Sequence, residues 1–208
     1  MAVVTVSREM GSLGDQIADL LCEELGYCRV DKTMLTKIAQ EAGIDVKAVL
    51  AKERAVTTKP KLISGQMTSL YGRQPNAFGK QGSLDDQTYL RIVRETMDRF
   101  AAEGNAIIVG RGGQVILQDT RGTLHVHLHA DPEIRAQNLM ERYGISKLDA
   151  QRRIEMSDER KRLYTRNVHK NANWKDLKYY HLVLDTGKLG PEVAARIICL
   201  AARSIDGA

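Results

Sequence analysis

No apolar run in this 208-residue chain approaches the roughly 20 residues that a membrane-spanning helix needs. No basic segment precedes the first apolar run, so the start of the chain does not read as a signal peptide. Cysteine is scarce. Cys22, Cys28 and Cys199 are too few and too scattered for a disulfide framework or a zinc ligand set. Such a count fits a reducing compartment, and cytoplasmic residence is the expectation. Aromatic residues make up only 5%. Apart from Tyr164, none interleaves with the basic residues of 151–170, so an RNA-stacking platform ranks behind a small anionic ligand.

One further absence matters more than these. Val3-Val4-Thr5-Val6 is a β-branched run that reads as a buried strand. A tight turn with Gly11 and Gly14 follows, and Ile17, Ala18, Leu20, Leu21 and Leu25 then recur at helical spacing up to Gly26. Strand, glycine turn and helix together present backbone N–H groups and a helix N-terminus to a phosphate. The common phosphate-loop pattern, G-x-x-x-x-G-K-S/T, places a lysine and a hydroxyl in that turn. Here Gly14 stands at the lysine position and Arg8 at the position of the first glycine. Arg8 is a candidate replacement charge, since guanidinium holds phosphate bidentately. Ser7 and Ser12 are candidate phosphate ligands or caps rather than nucleophiles.

What is present describes an ordinary globular domain: 43% hydrophobic, 27% charged, long enough for one sizeable core. The formal charge is +5 and is concentrated. Residues 151–170 carry Arg152, Arg153, Arg160, Lys161, Arg162, Arg166 and Lys170 against Glu155, Asp158 and Glu159. A local positive field of this kind suits an anionic ligand, although a solvated helix with paired charges explains it equally well.

The rest of the chain alternates strands and helices. Asp31 is placed to cap a helix through Ala42, and a further helix is expected over 45–54. Residues 57–82 carry Pro60, Pro75 and several glycines with little periodicity. A long helix is expected over 84–104, strands over 106–109, 124–128 and 181–184, and a closing helix from Pro191. Asp131-Pro132-Glu133 opens another helix with a cap, a first-turn proline and an acid at the positive dipole end. A basic helix, with a possible break, should run from Ser146 to about residue 170. The expected fold is an α/β domain with a mainly parallel sheet, the 3–6 strand central between those at 107–109 and 126–128.

Two motifs remain. Gly110-Arg111-Gly112-Gly113 follows a strand directly, at the sheet edge where open α/β sheets take ligands. Its glycines would let the backbone approach a ligand, with Arg111 directed into the cleft. As a dinucleotide fingerprint it is incomplete, because residue 115 is Val. His125, His127 and His129 alternate along one strand without a nearby Cys or carboxylate cluster. They read as a solvated or helix-covered strand face rather than a metal site.

The order of these segments resembles the cytidylate kinase-like proteins. The resemblance is carried by Ser7-Arg8-Glu9-Met10-Gly11-Ser12 with Gly14, Asp31-Lys32, Ile107-Ile108-Val109-Gly110-Arg111-Gly112 and Ala130-Asp131-Pro132 with Arg135. Asp158 with Arg160, Trp174 before Tyr180, and Leu182-Val183-Leu184-Asp185-Thr186 continue it, so that it spans residues 3–198. It implies a P-loop, nucleoside monophosphate kinase-like fold over 1–208. A mobile acceptor-side insertion at about 45–82 and a basic helical lid at about 146–175 are implied with it. The implied activity is ATP-dependent phosphoryl transfer, with Mg²⁺, to a nucleoside monophosphate (CMP-like) or related small acceptor. Ser7, Arg8, Gly11, Ser12 and Gly14 would then face ATP phosphates. Asp31, Gly110, Arg111 and Arg135 would face the acceptor, and Arg160 with Arg111 the transferring group. The chain departs from this pattern at Leu13, where relatives carry glycine, at Gly14, and at Asp15-Gln16, where they carry the Mg²⁺-binding hydroxyl. In the lid, Lys161 replaces an acid and Tyr164 an arginine. A non-catalytic nucleotide-binding or partner-docking module is therefore the alternative reading.

Overall fold

The computed structural model of the chain describes residues 2–41, 86–169 and 172–206. The expected helix at 45–54 and the expected insertion at about 45–82 lie outside the described residues. In chain order the elements are β1 (Val3–Arg8), α1 (Gly14–Leu25), β2 (Cys28–Val30), α2 (Lys32–Glu41), α3 (Asp86–Glu103), β3 (Ala106–Val109) and the short α4 (Gly113–Ile116). They continue with β4 (Thr123–His129), α5 (Pro132–Tyr143), α6 (Lys147–Val168), a 3₁₀ turn (Leu177–Tyr179), β5 (Leu182–Asp185) and α7 (Thr186–Asp206).

Among the described residues the strands form one sheet in the order β2-β3-β1-β4-β5, and every pair is parallel. β1 is central, as its uninterrupted β-branched run requires: both faces of a parallel sheet are covered, so a central strand cannot alternate polar with apolar. Val4 pairs with Ile107 on one side and Leu124 on the other. Its even-numbered residues, Val4 and Val6, face α1 and α7, where Ile17, Leu21 and Ile198 are fully buried. Val3 faces the opposite layer with Met97 and Phe100 of α3 and Tyr164 and Val168 of α6. Each fully buried Leu or Ile contributes roughly 1.5–3 kcal/mol, so these two layers are the principal source of stability.

Several local signals act as expected. Asp31 caps α2 by accepting from the backbone N–H of Thr33 (2.8 Å) and Met34 (3.2 Å). Asp131 caps α5 by accepting from Glu133 N–H (2.9 Å). One local expectation needs correction. α6 runs unbroken over 22 residues from its Ser146 cap, because it docks on α5 through Ala150 and Ile154 against Ala136 and Leu139. A short helical segment from Thr186 precedes the closing helix expected from Pro191. Gly190 (φ 71°, ψ 165°) separates the two, and Pro191 opens the second part. Of the two readings of the histidine strand, solvated or covered, the covered one holds for His125 and His127, which are 0% and 4% exposed. His125 Nδ1 lies 2.8 Å from Thr5 Oγ1, and its ring stacks on His181 at 4.8 Å.

Candidate phosphate-transfer site

All five strands point their C-terminal ends to one edge, and the loops there build two adjoining cavities. The first follows β1. Its backbone is tied down from three neighbours. Glu9 N–H donates to Leu128 O (3.0 Å). Asn138 Nδ2 of α5 donates to Gly11 O (2.8 Å). Thr186 Oγ1 of α7 donates to Ser12 O (2.8 Å). Gly11 has φ 85°, and a Cβ there would strike the Arg135 carbonyl, so only glycine fits this turn. Leu13, the residue before α1, is left-handed at φ 57°. Glycine adopts this conformation without strain, so Leu13 carries a backbone cost that glycine at this position would not.

The loop encloses about 140 Å³, lined by Arg8, Gly11, Leu13, Gly14, Asn138, Arg142 and Lys161 among others. The first N–H groups of α1 have no intrahelical acceptor, and the helix dipole adds partial positive charge. Asp15 opposes an anion there, but it is engaged by Arg29 (3.1 Å) and Arg8 (3.4 Å). A Cβ on Gly14 would lie 2.5 Å from Arg8 Cβ and 2.6 Å from Arg8 Cγ. The residue at the lysine position is therefore small because the Arg8 side chain crosses over it. Ser12 is completely buried beneath the loop. Its Oγ donates to Glu9 O (2.8 Å) and approaches Leu128 O (3.3 Å), so it braces the turn from below.

The second cavity, about 280 Å³, opens between the ends of β1, β2 and β3. Six cations line it: Arg8, Arg29, Lys32, Arg111, Arg160 and Lys161. One carboxylate, Asp31, lines it with them. The Gly110-Arg111-Gly112 turn is left-handed throughout, with φ 79°, 57° and 70°. Arg111 is held in that conformation from both sides. Its guanidinium lies over the Tyr164 ring (5.4 Å), and its carbonyl lies 3.2 Å from His169 Nε2. Both neighbouring glycines are required sterically. A Cβ at Gly110 would sit 2.8 Å from Arg8 Nη1, and one at Gly112 would run into the His169 ring. Burial pulls the His169 imidazole down to about 4, against its backbone acceptor at Arg111. Burial likewise pushes the Tyr180 phenol up to about 12. Tyr180 Oη accepts from Gln114 Nε2 (3.0 Å) and donates to Trp174 O.

Of the residues singled out from sequence, Ser7, Arg8, Asp31, Gly110, Arg111 and Arg160 line this cavity together. Gly11 and Gly14 line the loop cavity, and Arg8 lines both. Arg135 stands apart. It is 3% exposed and lines neither cavity. Its guanidinium meets Asp158 through Nη1 (3.2 Å) and Nη2 (3.0 Å) and Glu9 through Nη1 (3.0 Å), and its Nε donates to Met10 O (2.8 Å). Lys175 closes the cluster against Glu9 at 2.5 Å. Burial works to raise the Glu9 carboxyl, yet the Lys175 hydrogen bond and the Arg135 and Lys175 charges hold it below the usual carboxylate value.

Sequence reasoning noted Lys161 only as a departure in the lid and not as a site residue, although it lines both cavities, and it passed over Arg29, which meets Asp15 at 3.1 Å. Burial and the charge of Arg8 pull the Lys161 ammonium down to about 8, with Asp158 acting the other way. No spacing signal marks Lys161 among seven basic residues of one helix. Arg29 had a local hint, since it directly precedes Val30 and the helix-capping Asp31.

The residues present do not fit a resident divalent metal. Asp15 and Gln16 stand where a metal-binding hydroxyl would be, and Asp15 is engaged by two arginines. Among the described residues no three His, Cys, Asp or Glu side chains gather to hold an ion.

A five-stranded parallel sheet with a glycine turn at a helix start, beside a cleft lined mainly by cations, defines an α/β protein of the kinase-like kind. Residues 3–188 match the cytidylate kinase-like family, and the chain belongs to that family. A comparison with curated proteins gives no match. Among solved structures, an uncharacterized protein from Eubacterium ventriosum is 19% identical, covering 98% of this chain and 99% of that one, with TM-score 0.70. It shares the fold. The shikimate kinase of Acinetobacter baumannii in complex with shikimate is 11% identical (98% and 94% covered, TM-score 0.47). A gluconokinase from Sinorhizobium meliloti is 12% identical (98% and 95% covered, TM-score 0.47). No described helix is long and apolar enough to cross a membrane.

Proposed function

We propose that this chain transfers a phosphoryl group from ATP to a small phosphorylated acceptor, a nucleoside monophosphate with CMP the first to test. One observation carries the reading: the loop cavity and the cation-lined cleft adjoin and share Arg8. Donor phosphates would lie against Gly11, Gly14 and the start of α1. The acceptor phosphate would lie against Arg111 and Arg160, with Gly110 allowing close approach and Asp31 available to a neutral donor group of the acceptor. Phosphoryl transfer asks the protein mainly for positioning and charge stabilisation, and a convergent set of arginines supplies both. Mg²⁺ would arrive with the triphosphate, since the described residues offer it no cage of three acidic, His or Cys side chains. Arg135 serves this reaction as a positioning residue, because it fixes Met10 O and Glu9 at the base of the loop.

A second reading keeps the cleft and drops the chemistry. It is favoured by Asp15 at the helix start and by the unrelieved left-handed Leu13, which leave a poorer phosphate loop than the usual pattern. Purified protein with ATP, Mg²⁺ and each monophosphate in turn, followed for ADP formation, decides between them. Acceptor-dependent ADP supports the kinase. Monophosphate binding by calorimetry with no turnover leaves the binding module.

A further inference from the structure

We propose that Lys161, carried by α6 and not by the phosphate loop, is the ammonium that holds the donor phosphates. This inference rests on the phosphoryl-transfer reading and names the cation that Gly14 leaves out of the loop.

The placement comes first. Lys161 lines the loop cavity together with Gly11, Gly14 and Leu13, and it lines the cleft together with Arg111 and Arg160. Arg8 is the other cation common to both, but Asp15 holds it at 3.4 Å. Lys161 has a weaker hold on any acid. Asp158, three residues earlier on α6, is 3.9 Å away, and that carboxylate is already gripped by Arg135 at 3.0 Å. The Lys161 ammonium lies over the Trp174 ring, with Nζ 5.2 Å from its centre.

Charge around the ammonium is unbalanced. Arg8 and Glu9 face it from the end of β1, Arg135 from α5 and Asp158 from its own helix. Lys175 lies on the same Trp174 ring, and His127 of β4 feels both lysines. Arg8, Arg135 and Lys175 thus stand against Glu9, Asp158 and the Asp15 that holds Arg8, and the Lys161 ammonium is the charge in excess. With only a quarter of its surface exposed, Lys161 has little water to offset this. A multiply charged phosphate in the adjoining loop resolves the imbalance. It would also restore the proton affinity that burial and Arg8 reduce, since an adjacent anion favours the charged amine. The arrangement differs from a loop-borne lysine in one respect: the donor site is complete only while α6 is docked, and the Asp158–Arg135 pair docks it.

ATP binding measured by calorimetry tests this in wild type, Lys161→Met and Lys161→Arg. The last proton of a terminal phosphate leaves near or below about pH 7, so a series from about pH 7.5 to about pH 9.5 spans the Lys161 titration with the ATP charge nearly constant. At the lower pH, Lys161→Met is expected to lose about tenfold or more in ATP affinity, the lower end of what a charge-assisted bond contributes, while Lys161→Arg stays within about threefold. Wild-type affinity should fall as pH rises through 8, and Lys161→Arg should not follow it, because guanidinium keeps its proton. A helix-packing role for Lys161 would leave no such pH difference. If wild type binds ATP and CMP but Lys161→Met binds ATP equally well, the inference falls and the kinase reading stands. If wild type binds neither, both fall. If Lys161→Met does not fold, Lys161→Arg decides: a wild-type pH profile overturns the inference, and a flat one supports it.

Discussion

Arg135 and Arg111 sit at the same edge of the same sheet, yet their surroundings differ. Around Arg135, the cations Arg135, Lys175 and Lys161 meet the carboxylates of Glu9 and Asp158 within ion-pair distance, and the central pair, Arg135 and Glu9, is buried. Around Arg111, six cations line a cavity with one carboxylate. The first set is closed on itself, and an added anion would only disturb it. In the second, the lining cations outnumber the lining carboxylate six to one, with Asp15 meeting Arg8 and Arg29 from outside the lining. The residue type therefore says little about function here. Whether the protein supplies the counter-charge itself separates a brace from a binding surface.

The most forceful way to break this contrast is to remove the brace. Arg135→Met leaves Glu9 and Asp158 without their central partner. Loss of one member of a buried ion pair is strongly destabilising, so unfolding stability should drop by about 3–5 kcal/mol in a urea titration. A loss under about 1 kcal/mol would mean that Arg135 is not structural.

Acid should open the same region next. His127 packs on Trp174 and Tyr180 beside the closed cluster, and His125 lies between Thr5 and His181. Burial pulls both imidazoles down to about 4. Unfolded imidazoles take up protons near pH 6.5, earlier than the folded ones do. The stability they confer is thus complete above that value and is lost as pH falls toward 4. Each should account for about 2 kcal/mol between pH 7 and pH 5. Denaturant midpoints at the two pH values, with His127→Gln as the control, measure it. An unchanged midpoint would contradict neutral burial.

The cleft should answer in affinity rather than stability. Arg111→Ala is expected to weaken CMP binding by roughly 1.5–3 kcal/mol, the worth of a hydrogen bond to a charged group. Equal calorimetric affinities for wild type and variant would remove Arg111 from the acceptor site. The smallest effect is expected at Leu13. Leu13→Gly relieves a left-handed side chain, offset by the greater freedom of unfolded glycine, for a net gain of up to about 1 kcal/mol. A lower melting temperature would show instead that the Leu13 side chain contributes packing that outweighs the strain.

The same contrast marks what the sequence makes legible. Parallel strands buried on both faces announce themselves as β-branched runs, so β1, β3 and β4 and the central place of β1 were readable. Arg111 was readable too, because it directly follows a strand and is framed by glycines. Arg135 was not, and it was expected in the cleft. Its partners, Glu9 and Asp158, lie 126 and 23 positions away, and no local spacing encodes such pairings. Lys161 was hidden for the opposite reason: its helix is so basic that no single residue stands out. The left-handed Leu13 shows a middle case, in which a departure from the family pattern was visible and its backbone cost emerged only with the fold.

Trp174 has a consequence of another kind. It is the sole tryptophan of the chain, and it lies between the ammonium groups of Lys161 and Lys175, 5.2 Å and 5.0 Å from its ring centre, with His127 at its edge. Indole emission is sensitive to the charges beside the ring. All tryptophan light from this protein therefore originates at the junction of brace and cleft, so occupancy of the proposed phosphate site could be followed in real time, without a label, as a change in colour and intensity.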